Sequence, residues 1–531
     1  MTASQPSDLI TKSPTSLQNF PGSQPGYMTP SSVNSQSLSK TIPAPSEVVD
    51  RVNETTMTAS LTSLATFPPI DIPAQELRGA IIHFWHPWKG ETIETIRQLV
   101  EEFNVQNEWG ITVVASNYEN LDVLSNEINQ VIQDGQIPDL VVGYPHQALS
   151  WDQEKPLVDF NKYLSDTTWG LKQEELRKWF PQLWMPDLAN RLIGIPAMRT
   201  SQVLFYNSSK AQELGFTATP TNLDEFLLQA CAAAQAAMND DDPANDLKGG
   251  WIVSTYYPVI LGWIYAFGGE ILKMPEPTAG HSFYQFNTNE TKEAFDFLRQ
   301  AFDQGCAWIP ESDYPEADFV ARLGLFSTGS VMDIPYYAQA FKVAENSDQW
   351  TVLPFPSTGD QGVIDIYGPS FYMFSSNPKQ QLAAWLFLKH LISPQNHARL
   401  VEASGSFPLQ TNELDYLSEY ITLYPQWRAA VELLPLARRE PVHPSWRSVR
   451  WALQDAATQL YRSYFTIDQV PLLLEYLDNF VAERQTGEQA KEAFATLTAL
   501  PTQKTLTTPI SSPSEANVLT LPPPVTTTPS P

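Results

Sequence analysis

At 531 residues, with 42% hydrophobic and 17% charged side chains, the chain can bury a core without metal or disulfide staples. Its 59 acidic against 32 basic residues give a formal net charge of −27, which repels a phosphate backbone and excludes nucleic acid as a partner. No stretch approaches the ~18 consecutive apolar residues of a membrane span, and the start, MTASQPSDLI, shows neither the basic nor the apolar region of a secretion signal.

Residues 1–76 are rich in Ser, Thr and Pro without a sustained apolar period, and they read as a disordered stalk. The segment 486–531 has the same character and reads as a disordered tail. Between them GAIIHFW begins the folded body with a strand ending at Trp85. The loop HPWKGE and an amphipathic helix over TIETIRQLVEEF follow. Then come a strand at 111–116, a helix over LDVLSNEINQVIQDG and a strand at 138–144. This alternation predicts an α/β fold with a mostly parallel sheet, helices on both faces, and a ligand outside the carboxyl ends of the strands. Further on, LIGIPAMRTSQVLFYN is extended, TNLDEFLLQACAAAQAAM is a helix with a Thr/Asn cap, and TKEAFDFLRQAFDQG is a helix closed at Gly305. LAAWLFLKHLIS and VRWALQDAATQLYRSYF are the late amphipathic helices.

The stretch HFWHPWKGET raises a metal-site reading, since it holds His83 and His86. His83 lies on the strand and points into the sheet while His86 follows it in the loop, and no carboxylate or Cys cluster adjoins them, so no metal is expected. Cys231 and Cys306 read as a pair of buried thiols; a disulfide is the alternative that the sequence leaves open. Fifteen tryptophans with 20 tyrosines and 26 phenylalanines mean mainly core, with some left to serve as flat platforms for a ligand.

Taken in order, IIHFWHPW, LVEEFNVQN, IQDGQIPDLVV, GIPAMRTSQVLFYNSS, GWIYAFGGEIL, LFSTGSVMDIPYY, WTVLPFPSTG and SGSFPLQTN resemble the extracellular solute-binding proteins of carbohydrate ABC transporters, the maltose-binding-protein-like family. The resemblance covers about residues 80–485. It implies a two-lobed periplasmic-binding-protein-like fold (type II), a hinge of crossing strands and a ligand in the interlobe cleft. The lobes would hold 79–200 plus 367–408 and 201–366 plus 409–485. It also implies no enzymatic activity and no cofactor, a carbohydrate ligand, ABC transporter permease subunits as partners, a monomer, and an extracellular, periplasmic or surface-tethered location. No Cys precedes residue 231 to carry a lipid anchor.

Carried over residue by residue, the resemblance makes His86, Trp88, Tyr144 and His146 cleft residues of the first lobe. Thr200 and Ser201 lie at the cleft floor, where a hydroxyl stands in place of the family's frequent acidic group. Of Tyr257 and Trp263, one would face the cleft and the other the core. Tyr336, Tyr337 and Trp446 would be stacking platforms, Arg447 a candidate for an anionic group, and Tyr367, Gly368 and Ser370 would pass the ligand on re-entry to the first lobe. Aromatics suit a pyranose because flat rings cover its C–H face while polar groups meet its hydroxyls; they would equally hold a quaternary ammonium. Competing readings are a sensor or adhesion protein on the same fold, a glycerophosphodiester or polyamine ligand, and a glycoside hydrolase. The chain has no G-x-S-x-G, H-E-x-x-H or P-loop motif, and 59 acidic residues place some carboxylate pair at hydrolase spacing by chance.

Overall fold

The computed structural model describes residues 67–187, 191–273, 284–312 and 314–486. The stalk and tail readings over 1–66 and 487–531 lie outside the described residues. In chain order the strands are β1 (Ile81–His86), β2 (Thr112–Asn117), β3 (Leu140–Gly143), β4 (Gly194–Pro196), β5 (Gln202–Asn207), β6 (Gly249–Ile252), β7 (Ala307–Trp308), β8 (Gly324–Ser330), β9 (Trp350–Leu353), β10 (Ile364–Ile366), β11 (Ser370–Met373) and β12 (Ala437–Arg439).

They form two five-stranded sheets, ordered β2-β1-β3-β11-β4 and β7-β6-β8-β5-β9, and a ribbon of β10 with β12. Helices cover both sheets, giving two α/β lobes. In each sheet the strands of the βαβ units are parallel, whereas the strand leading to or from the other lobe runs against its neighbours: β11 against β3 and β4, β5 against β8 and β9. All four residues of β3 and all six of β5 are buried, as strands covered on both faces must be.

Two of the segments that join the lobes cross each other. Ala197–Ser201 runs from β4 to β5, and Tyr367–Pro369 from β10 to β11. They pair where they cross, the Thr200 amide donating to the Tyr367 carbonyl at 3.0 Å and the Tyr367 amide to the Thr200 carbonyl at 3.2 Å. Gly368 sits at φ +134°, and a Cβ there would lie 2.4 Å from the Met198 carbonyl oxygen, so the crossing admits glycine alone. Arg199 is 1% exposed and fastens the crossing. Its guanidinium donates to the carbonyls of Leu183, Met198, Gly368 and Pro369 and to Ser370 Oγ.

Two local readings change. Residues 67–76, assigned by composition to the stalk, lie on the first lobe. Ile70 N donates to Asp166 Oδ2 at 2.8 Å, Ile70 and Ile72 pack on the core, and Leu77 is fully buried at the end of a short 3-10 turn. Apolar residues spaced along IDIPAQEL supply the contact that the Pro and Ser content obscures. The cysteines are bonded to each other rather than being two free thiols. Cys231 lies on the helix Leu223–Met238 and Cys306 just before β7. Gly250 lets the three backbones close up, since a Cβ there would lie 2.1 Å from the Cys306 carbonyl oxygen and 2.8 Å from that of Ala230.

Candidate functional site

The site is built from the ends of both lobes that meet beside the hinge. In the first lobe β3 ends at Gly143, and Tyr144 leads into the helix Pro145–Glu154, with Pro145 at its first position where no N–H is needed. The Tyr144 amide donates to Gln147 Oε1 at 2.9 Å, fixing the turn. The Tyr144 and His146 rings stack at 5.5 Å between centroids. His146 is 1% exposed, and neither ring nitrogen has a hydrogen-bond partner among the described residues. Burial, reinforced by Arg450 and Arg447, holds its pKa well below the usual histidine value, so the ring is neutral at pH 7.

From the second lobe the helix Trp446–Leu460 points Arg450 at this stack. The guanidinium carbon lies 5.1 Å from the Tyr144 ring centroid and 5.3 Å from those of Tyr257 and Trp451. One of its nitrogens donates to the Tyr257 hydroxyl at 3.3 Å, while Nε is buried without a partner. Cation–π contacts of this kind contribute on the order of 0.5–2 kcal/mol each as the site dries. At the rim Arg447 pairs with Asp122 across the lobes at 3.6 Å; both are about half exposed, so the pair adds little.

Behind Arg450 lies Glu440, whose Oε2 accepts from Trp446 Nε1 at 2.8 Å. Burial, against the opposing effects of that bond and of Arg450, raises its pKa from the ordinary 4.5 to about 7. The folded state thus holds a proton that the unfolded carboxyl releases. Its contribution is complete below about pH 4.5, where both states are protonated, and is lost progressively as pH rises through about 7; the whole difference is about 3 kcal/mol. Glu440→Gln keeps an acceptor for the indole and removes the charge. It is therefore expected to flatten the dependence of melting temperature on pH between about 4.5 and 8. An unchanged slope would contradict this.

The cleft floor carries a second polar group. Gln202 Nε2 donates to the Tyr367 hydroxyl at 2.6 Å, its amide donates to Asp365 Oδ1 at 3.0 Å, and Thr200 Oγ1 lies 2.7 Å from Ser330 Oγ. Ser201 Oγ donates to the Gln202 carbonyl, and Ser370 Oγ is taken up by Arg199. Tyr256 links floor and wall: its phenol is close enough to Arg450, Glu440 and Tyr367 for charge on one to be felt by the others. Beside the hinge a groove of about 390 Å³ runs between Pro181 and Gln182 on one side and Tyr265, Glu270, Arg438 and Arg439 on the other. A second pocket, of about 230 Å³, shares Tyr265, Glu270 and Arg439 with it and is lined also by Glu440.

Of the residues singled out in the sequence, Tyr144, His146 and Tyr257 come together around Arg450, with Trp446 in edge contact with Tyr257. Thr200, Ser201, Tyr367, Gly368 and Ser370 form the hinge floor. The rest go elsewhere. Trp88 is 7% exposed in the first-lobe core, edge-on to Phe371, because the chain folds back over Phe84. His86 stacks on Trp88, and its Nδ1 lies 3.2 Å from the Asn117 side-chain nitrogen, so Nδ1 is the accepting, unprotonated atom. Burial lowers its pKa to about 4.

Trp263 is fully buried among Trp251, Phe226, Phe297 and Phe355. Six residues beyond Tyr257 on one helix leaves the two side chains about 120° apart around the axis, so the rings enter different surroundings. Tyr337 packs on Phe205 at 3.9 Å with its hydroxyl 2.9 Å from Ser327 Oγ, whereas Tyr336 next to it is 68% exposed. Neither belongs to the cluster. Trp446 is itself fully buried and presents only its N–H, to Glu440. Arg450, Glu440, Gln202 and Arg199 were not anticipated. Arg450 follows Trp446 by four residues, one helical turn, and that spacing was the available signal.

Among the described residues no three His, Cys, Asp or Glu side chains gather as a metal site, and no helix is long and apolar enough to cross a membrane. Residues 98–429 match the family described as bacterial extracellular solute-binding protein. A protein of Brucella abortus strain 2308, provisionally named as a binding protein, is 25% identical over 384 residues, covering 70% of this chain and 86% of its own. Among solved structures, the sugar-binding protein MalE of Xanthomonas citri superposes with a TM-score of 0.64 at 17% identity, over 77% of this chain and 98% of its own. The cyclic alpha-maltosyl-1,6-maltose binding protein of Arthrobacter globiformis gives 0.62 at 16%, over 76% and 99%. UgpB of Mycobacterium tuberculosis, in complex with glycerophosphocholine, gives 0.58 at 16%, over 77% and 100%. With the family match spanning more than half of its length, this chain belongs to the bacterial extracellular solute-binding proteins.

Proposed function

We propose that the chain is the solute-binding component of an ABC importer. It takes a small polar solute, a sugar or a sugar-like molecule, between Tyr144 and His146 of the first lobe and Arg450 and Tyr257 of the second, and hands it to membrane permease subunits outside the cytoplasm. The observation that carries this reading is the meeting of unsatisfied polar groups from both lobes beside the hinge: among the described residues His146 and Arg450 Nε have no hydrogen-bond partners. A group that reached both would favour the closed arrangement, which is how a ligand drives hinge closure. Two of the superposed proteins are named as binding a sugar or a cyclic maltosyl-maltose, and a third is in complex with glycerophosphocholine, which supports the same chemical range. The lobes we assign are residues 79–200 with 367–408, and 201–366 with 409–485. The floor ligands would be Thr200, Ser201 and Tyr367, which already line the crossing.

Thermal melting of the full chain against sugars, oligosaccharides, glycerophosphodiesters and polyamines tests the proposal. A solute at a hundred times its Kd adds about 2.7 kcal/mol and raises the melting temperature by several degrees. Release of a cleaved product from any oligosaccharide would contradict a purely binding role.

A further inference from the structure

We propose that the start of the helix Pro145–Glu154 and Arg450 together receive an anionic group, phosphate or carboxylate, of the bound solute. The proposal rests on the reading of this site as a solute-binding cleft and narrows the solute class.

Arg450 is 4% exposed and forms no ion pair among the described residues. A guanidinium taken from water is costly unless its donors meet an anion or a set of acceptors. Arg450 meets three aromatic faces and one phenol hydroxyl, and its Nε–H is unused. The carboxyl that could neutralise it, Glu440, is turned to the Trp446 indole. Asp122, the acid at the rim, is paired with Arg447. Positive charge is therefore left over in the cleft of a chain whose net charge is −27.

The facing wall is complementary to the same group. His146 is buried with both ring nitrogens unpartnered, and as a neutral imidazole it offers one N–H donor. It is the second residue of a ten-residue helix, whose first turn carries partial positive charge. A lone sugar hydroxyl would satisfy one of these donors. The two coplanar oxygens of a carboxylate or phosphate fit the planar guanidinium fork and leave a further lone pair for His146. The rings of Tyr144, Tyr257 and Trp451 then serve as walls that keep water from the ion pair.

Calorimetric titration of the full chain with matched pairs tests this: glucose against glucose 6-phosphate, galactose against galacturonate, and glycerol against glycerol 3-phosphate and glycerophosphocholine. The anionic member is expected to bind about 10- to 100-fold more tightly, the value of charge-assisted hydrogen bonds at a dry site. The phosphate and carboxylate arms separate the two sources of charge. Arg450→Gln should weaken the anionic member far more than its neutral partner and so erase the ratio, and Arg450→Lys should retain part of it. Should Arg450→Gln not fold, Arg450→Lys replaces it, keeping the charge but losing the planar fork, and it should lower the ratio without erasing it. Equal affinity within the pairs, or a ratio indifferent to Arg450→Gln, overturns the anion site and leaves solute binding intact. Binding of no member of any pair overturns both.

Discussion

Replacing Arg199 with methionine is expected to destabilise the chain by about 3–5 kcal/mol, because a buried donor set is removed and its acceptors stay behind. Five acceptors are involved: the carbonyls of Leu183, Met198, Gly368 and Pro369 and Ser370 Oγ. Methionine fills the volume of the stem and supplies no hydrogen. The guanidinium is buried deeply enough that its pKa falls to about 10, so it remains charged at neutral pH and its bonds stay charge-assisted. Because these acceptors lie on both crossing segments and on the loop before β4, the loss falls on the hinge. Urea denaturation checks it: the midpoint should drop while the slope stays near that of the natural chain. A midpoint unchanged within error would mean that water or the backbone replaces Arg199 without penalty.

The second large effect concerns the disulfide. Cys231 and Cys306 are 75 residues apart in sequence, and a loop of that length gives a chain-entropy stabilisation of about 4 kcal/mol. Cys231→Ser with Cys306→Ser should lower the melting temperature by about 5–10 °C, and reducing agent should do the same to the natural chain. The loss should be confined to the second lobe, where the bond ties the helix Leu223–Met238 to the start of β7. Amide exchange in that helix and in β6 should quicken, while β1 and β3 keep their protection. If the double variant melted with the natural chain, the bond would contribute nothing in solution.

The order of strands and helices in the first lobe was legible because the apolar period switches cleanly between two and 3.6 residues. Asn222 and Gly305 mark helix ends that the structure keeps, Asn222 as a side-chain cap and Gly305 at positive φ. Tyr144 and His146 were legible as residues just past a strand's carboxyl end. Which aromatic rings face the cleft was not. Trp263 sits in a stretch apolar on every side, YPVILGWIYAF, while Trp88 and Trp446 lie where a loop enters a helix with no apolar period to fix their direction. Arg450 was overlooked for a related reason. Its neighbour Arg447 lies next to Trp446 in sequence, but Arg450 lies one turn on, and helical geometry rather than adjacency decides which cation turns inward. The cysteine pairing depended on the close approach that Gly250 permits, a long-range fact with no local signature.

The most direct test of the account is a crystal structure of the full chain with a solute that raises its melting temperature. The account predicts density enclosed between Tyr144 and His146 on one lobe and Arg450 and Tyr257 on the other, with a solute oxygen within hydrogen-bonding distance of Arg450 Nε. Density instead in the groove beside Tyr265 and Glu270, or on an outer face of either lobe, would contradict it.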